Sequence, residues 1–165
     1  MNKILIIGIS GTGKTRIARK ISAVLKIPVT HYDTLSWGQN GKEVKRRIVE
    51  KKINEVLKKR KWIIEGYINP SAKKKLEKAD IVIYLDYSGV RAFFGGIKRW
   101  WEYRGKTRPE MASIYKERLD LKDLKIMLTR DERQEIENEI KKYKHKIIRL
   151  KSWRETNKYI TNLLK

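Results

Sequence analysis

Ile4-Leu5-Ile6-Ile7-Gly8-Ile9-Ser10-Gly11-Thr12-Gly13-Lys14-Thr15 opens the chain, and Ile17, Ala18, Ile21 and Leu25 follow it. From Gly8 the stretch has the spacing G-x-x-x-x-G-K-[ST], that of a phosphate-binding loop. The four apolar residues ahead of it suit a strand buried on both faces. Those behind it recur at helical spacing. Strand, glycine loop and helix therefore come in the order the chemistry requires. Glycines let the backbone wrap a phosphate chain, and N–H groups at the helix start point at the anion. Lys14 adds a mobile cation for the β- and γ-phosphates, and Thr15 a hydroxyl for Mg²⁺. The alternative, an ordinary glycine turn, would not need both flanks. The expected ligand is ATP with Mg²⁺, on Gly8, Ser10, Gly11, Thr12, Gly13, Lys14, Thr15 and Arg16.

At 165 residues the chain is expected to form one domain, residues 1–165. It has no cysteine, so disulfides and thiolate metal sites are ruled out. No apolar stretch approaches membrane-spanning length, and the N-terminus runs into the first strand rather than a secretory signal. A soluble cytoplasmic protein with no membrane partner is expected. Lysine and arginine number 41 against 19 acids, a net charge of +22. Such a charge favours nucleotides, nucleic acids or acidic membranes. The excess is spread along helices, as a general lysine bias would spread it, and non-specific nucleic-acid binding at low salt follows either way.

Beyond the loop, strands and helices alternate without repeats or low-complexity linkers. Residues 28–32 read as a second strand ending at Asp33. Residues 43–60 read as a helix with Val44, Ile48, Ile53, Val56 and Leu57 inward. Trp62-Ile63-Ile64 is a third strand ending in Glu65-Gly66, with Trp62 as packing. A short helix over 72–78 leads to a fourth strand, Ile81–Leu85, closed by Asp86. A long helix spans roughly 88–103, weakened in its middle by Gly95-Gly96. Residues 104–120 carry Gly105 and Pro109 without an apolar period, which suggests a mobile lid. A helix over 121–143 precedes a fifth strand at 146–150. Ser152-Trp153-Arg154-Glu155 is a capping box for the last helix. The alternation implies a parallel sheet covered on both faces.

The loop at 8–15, His31–Trp37, Trp62–Tyr67 and Tyr103–Met111 together resemble the DNA topology modulation (FlaR-like) proteins, relatives of adenylate kinase among the P-loop kinases. The resemblance covers nearly the whole chain, and Arg104-Gly105-Lys106-Thr107-Arg108-Pro109 is its most specific part. It implies an α/β three-layer P-loop NTPase fold. A five-stranded parallel sheet of order 2-3-1-4-5 would lie between helices, with a short helical lid at about 104–120. Nucleotide would bind at the carboxyl ends of the strands, as the switch-point rule also expects.

Acids at the strand ends are the next candidates. Glu65 stands where adenylate kinases carry an aspartate, so the resemblance assigns it to Mg²⁺ through water, opposite Thr15. Asp33 matches a position that small-molecule P-loop kinases use to orient an acceptor hydroxyl or Mg²⁺; a structural role is the alternative. Asp86, farther from the γ-phosphate, reads as a structural cap. His31 reads as packing, and Trp37 as a stacking surface for a base or the acceptor. Arg99, Arg104 and Arg108 lie in and beside the lid, and Arg130 and Arg133 on one face of the next helix. Guanidinium forks stabilise the charge of phosphoryl transfer, and a closing lid excludes water. Surface ion pairs with Glu102, Glu110, Asp131 or Glu132 are the alternative. The candidate catalytic residues are thus Lys14, Asp33, Arg104, Arg108, Arg130 and Arg133. Where adenylate kinases grip the acceptor phosphate with an arginine, this chain has Asn69. Its acceptor can therefore differ from a nucleoside monophosphate.

Two functions are compatible with these residues. One is a kinase passing the ATP γ-phosphoryl group to a nucleotide or other small acceptor. The other is a regulator associated with DNA topology that uses ATP as a conformational ligand. No helix-turn-helix, zinc-finger or aromatic RNA-binding motif supports the second.

Overall fold

The computed structural model describes residues 1–38, 42–69, 71–111 and 116–163. Strands β1 (Lys3–Gly8), β2 (Val29–His31), β3 (Trp62–Glu65), β4 (Ile81–Leu85) and β5 (Ile147–Leu150) form one parallel sheet in the order β2-β3-β1-β4-β5. β1 is central, with Leu5 in register with Ile64 on one side and Val82 on the other. Side chains alternate along a strand, so Ile4 and Ile6 feed one face of the sheet and Leu5 and Ile7 the other. All four are buried.

Each face is closed by helices. Ile4 and Ile6 pack in a cluster with Ile17, Ala18 and Ile21 of α1 (Lys14–Leu25) and Ile160 of α8 (Trp153–Leu163). Leu5 and Ile7 join the second cluster. There they meet Ile53 of α3 (Arg46–Lys58), Leu76 of α4 (Ala72–Lys78), Ala92 of α5 (Gly89–Tyr103) and Met127 of α6 (Leu121–Thr129). Ile136 and Ile140 of α7 (Glu132–Ile140) complete it. α2 (Tyr32–Ser36) is a single short turn after β2.

Three boundaries and one buried helix face differ from the sequence reading. β2 ends at His31, and Asp33 stands in the first turn of α2, because the chain bends around Gly66: a β-carbon there would meet Tyr32 Cβ at 2.5 Å. α3 begins at Arg46, since Val44 N–H still donates to Ser36 O (2.8 Å) and Glu43 bridges Trp37. Its buried stripe is Val49, Ile53 and Leu57, spaced four apart, whereas Ile48 is 45% exposed. The helix expected over 121–143 breaks in two. Arg130 adopts φ 62°, its N–H closing α6 on Ile126 O (2.9 Å), and the chain restarts as α7 before a 3₁₀ turn at Lys141–Lys146. Arg130 and Arg133 therefore do not share one helix face.

Candidate functional site

Gly13 precedes α1 with φ 83°, a left-handed conformation that glycine adopts without a Cβ penalty. Neither a side-chain cap nor an acid in the first turn serves the start of α1, so its leading N–H groups remain for an anion. Within the loop, Thr12 Oγ1 and Lys14 Nζ both donate to Ile9 O (2.8 and 3.0 Å). Burial pushes the Lys14 ammonium pKa down from its ordinary value, and the nearby carboxylates of Glu65, Asp33 and Glu132 partly oppose it.

The carboxyl ends of β2 and β3 supply the opposing acids. Thr15 Oγ1 donates to Glu65 Oε1 (3.1 Å), and His31 Nδ1 lies 2.6 Å from the same oxygen. His31 is thus more than packing: it holds the orientation of a buried carboxylate, Glu65 being 3% exposed. Among the described residues no three His, Cys, Asp or Glu side chains gather to hold a metal on their own. A hydroxyl facing a carboxylate is, however, a hard oxygen pair that suits Mg²⁺ once phosphates and water complete its shell.

α5 bears directly on the loop. A β-carbon at Gly95 would stand 2.0 Å from Gly11 O, and one at Gly11 2.1 Å from Ala92 O. Gly96 meets α6 in the same way, at 2.6 Å from Met127 Sδ. Of the two glycines that weaken the helix by propensity, Gly95 allows backbone-to-backbone contact with the loop and Gly96 makes room for the Met127 side chain. This contact brings Arg99 to the loop, where Nη1 donates to Ser10 Oγ (3.4 Å) and Nε to Glu117 Oε1 (2.8 Å).

A cleft of about 680 Å³ opens above the loop. Residues 10–16 form its floor, including Ser10, Gly11, Thr12, Gly13, Lys14, Thr15 and Arg16; Asp33 and Glu65 stand on one side, and α5 with Trp153 on the other. Gly8 lies just outside, its φ of 152° matched to the turn from β1 into the loop. Arg16 lies 4.8 Å over the Trp153 ring. The capping box itself forms: Glu155 N–H donates to Ser152 Oγ (3.2 Å), and Lys151 N–H to Glu155 Oε2 (2.9 Å). Its capping role was legible, but nothing in the sequence marked Trp153 as a cleft wall. Arg19 and Arg91 were likewise missed, because helical lysines and arginines are too common here to stand out.

The expected catalytic arginines divide. Arg108 lines the cleft and is buried, paired with Glu117 Oε2 (2.9 Å) and Glu110 Oε1 (3.5 Å). Arg104 does not line it; its guanidinium lies 5.7 and 5.8 Å over Trp100 and Trp101. Arg130 and Arg133 do not line it either. Both pair with Asp86, Arg133 Nε at 3.1 Å, and Arg149 Nη1 joins them at 2.8 Å. Burial works to raise the Asp86 pKa, but hydrogen bonds from Arg133 and Arg149 hold it below the ordinary range. Asp86 is therefore the centre of a buried ion cluster rather than a simple strand cap.

The described residues of the expected lid are joined by backbone bridges and ion pairs. Residues 112–115 of the expected lid, at 104–120, lie outside the described residues. On either side of them, Thr107 bridges Lys116 and Arg104 bridges Glu117. Trp37 stands apart from the cleft, and Asn69 is bonded to Glu135.

No family model matches the chain, and no curated protein matches it either. Solved structures do. A gluconokinase from Sinorhizobium meliloti 1021 aligns over 99% of this chain and 93% of its own, at 18% identity and a TM-score of 0.55. A shikimate kinase from Acinetobacter baumannii in complex with shikimate aligns over 99% and 91%, at 19% identity and a TM-score of 0.62. One from Bacteroides thetaiotaomicron covers 97% and 94%, at 16% identity and a TM-score of 0.51. The fold is that of the small P-loop kinases; identities this low speak to fold alone.

Proposed function

We propose that this chain is a phosphotransferase that moves the γ-phosphoryl group of ATP to a small acceptor. The observation that carries the reading is the meeting of Thr15 and Glu65 beside an unfilled helix start and the half-buried Lys14. Those are the parts phosphoryl transfer needs, and here they line one cleft. Thr15 and, through water, Glu65 would hold Mg²⁺, which when bound neutralises charge on the phosphate oxygens.

The chain's own groups then have distinct tasks. The N–H groups at the start of α1 and Lys14 seat and orient the triphosphate. Arg99, beside Ser10, stabilises negative charge on the transferring group. Asp33 faces the same cleft from α2 and accepts the proton of the acceptor hydroxyl. Arg108, neutralised by Glu110 and Glu117, ties the lid together, and Glu117 joins it to Arg99 of α5, which keeps water out of the cleft. Arg104, Arg130 and Arg133 have structural rather than catalytic work in this reading.

The test is ADP release from Mg·ATP against a panel of nucleosides, nucleotides and small hydroxyl compounds. An acceptor-dependent rate that Asp33→Asn lowers about a hundredfold or more, with ATP affinity kept, is expected. ATP-independent behaviour of a folded chain would overturn the reading.

A further inference from the structure

The two sides of the cleft differ in charge. Arg16 and Lys20 lie over the Trp153 ring, and Arg91 and Lys98 line the cleft from α5, where Glu102 is 3.9 Å from Lys98. That side is cationic, as a polyphosphate requires. By contrast, the guanidiniums of Arg19, Arg108 and Arg99 are already engaged by carboxylates, Arg99 reaching them from α5. Arg19 Nη2 meets Glu110 Oε2 (2.5 Å), Glu110 Oε1 meets Arg108 (3.5 Å), Arg108 meets Glu117 (2.9 Å), and Glu117 meets Arg99 (2.8 Å). Glu110 and Glu117 are 8% and 5% exposed, so water does not compete for these pairs. Thr34 Oγ1 donates to Glu110 O, which fixes the acid against α2 beside Asp33. The Asp33 carboxylate itself is in no ion pair among the described residues. With Asp33 and Glu65 counted, three guanidiniums meet four carboxylates, and assigning Arg99 to the triphosphate leaves this group more negative still. Even Asn69, the nearest equivalent of an acceptor-phosphate grip, is bonded to Glu135.

We infer that the phosphoryl acceptor is an uncharged, hydroxyl-bearing molecule of the sugar, polyol or nucleoside class, not a carboxylate or a phosphate ester. This rests on the phosphotransferase reading above. An anionic acceptor beside Asp33 would find Arg19, Arg108 and Arg99 already paired and would lie against the Asp33 and Glu110 carboxylates. A neutral hydroxyl donates to Asp33 instead. As its oxygen bonds to the γ-phosphorus, the bond from that phosphorus to the bridging oxygen breaks. ADP leaves with the electron pair, and the proton passes to Asp33. Glu110 and Glu117 are specificity residues in this account: they exclude anions by keeping the arginines occupied.

The experiment first titrates the native chain with Mg²⁺ and a non-hydrolysable ATP analogue; failure to bind there would overturn the phosphotransferase reading itself. The loaded protein is then titrated with methyl phosphate, an anionic probe small enough for the acceptor side. Native protein is expected to bind it no better than at bulk ionic strength. Glu110→Gln frees Arg19, leaves Arg108 on Glu117 alone, and is expected to tighten binding about tenfold to a hundredfold. Arg19→Gln breaks the same pair without freeing Arg19 for the probe, so its gain is expected to be smaller than that of Glu110→Gln. If Glu110→Gln does not fold, Glu117→Gln, which frees Arg108 and Arg99, takes its place. Micromolar binding of methyl phosphate by the native loaded chain would overturn the inference. So would an unchanged affinity in the folded glutamine variant. In turnover, a nucleoside or hexitol is expected to outperform its monophosphate or aldonate partner, and the reverse order would equally refute the proposal.

Discussion

Lys75 shows how much a single residue can reveal about the interior. It is fully buried on α4, its Nζ donating to Tyr67 O (3.0 Å) and lying 5.6 Å from the Tyr32 ring, with no carboxylate beside it. Burial lowers its pKa to about 7. In the unfolded chain it keeps the ordinary lysine value near 10.5, so between these values the unfolded state binds the extra proton. Folding stability is therefore expected to rise with pH from about 7 to 10.5 through this group, the full penalty applying below 7. Lys75→Met is expected to flatten that rise relative to the native chain in urea melts at a series of pH values; parallel curves would contradict it. Residue-level chemistry was only partly legible. Lys14 and Thr15 stand out because they belong to a short, rigid pattern, and Glu65 is picked out by its place at a strand end and by the family resemblance. The buried state of Lys75 and the ion pairs of Arg108 do not, since a lysine-rich sequence gives no sign of which lysines or arginines turn inward. Arg130 and Arg133 were misjudged for a related reason. Their partner, Asp86, lies on a strand far away in sequence, and only the fold brings it near.

At the scale of elements, α5 is the least expected and the most consequential. Its Gly95-Gly96 pair reads in sequence as a flaw in a helix, a cost of about 1 kcal/mol per residue against alanine. In the fold Gly95 lets α5 rest on the phosphate loop, while Gly96 makes room for Met127 of α6. Gly95→Ala in an ordinary exposed helix would stabilise it by this amount. Here the added methyl would stand 2.0 Å from Gly11 O, so the substitution is expected to destabilise the chain by about 1–3 kcal/mol and to weaken Mg·ATP binding. Thermal melts and nucleotide titration of the variant check this, and a stabilised variant with native affinity would show that α5 does not bear on the loop. The break at Arg130 illustrates the opposite limit. Apolar periodicity continues across it, so sequence alone reads one helix where the chain makes two. A left-handed arginine costs about 1–2 kcal/mol, which the ion pair with Asp86 offsets. Strands were easier to read: Ile4–Ile7 and Ile81–Leu85 are continuous apolar runs, and a strand buried on both faces leaves few other ways to use them.

The whole molecule carries +22, and no helix among the described residues is long and apolar enough to cross a membrane. Exposed lysines on α3 and α4 would bring any polyanion to the surface without a shaped site for it. Nucleic acid is expected to bind with affinity that falls steeply with salt, shows no sequence preference and competes little with ATP. A sequence-selective complex that survives physiological salt and responds to ATP would instead support a regulatory role on DNA. The sheet order and the helical layers place the loop, Glu65 and Asp33 at one edge, where β1, β2 and β3 end, and the account of the protein as a phosphotransferase depends on that edge. Its most direct test is an equilibrium titration of native and Lys14→Ala protein with Mg·ATP, with the fold of both confirmed by circular dichroism. Lys14 is the one fully charged side chain the loop itself offers the phosphates, and a charge-assisted contact contributes about 1.5–3 kcal/mol. The native chain is expected to bind one equivalent, and Lys14→Ala to bind at least about tenfold more weakly. Equal affinity in the two folded proteins would contradict the assignment of the nucleotide to this loop.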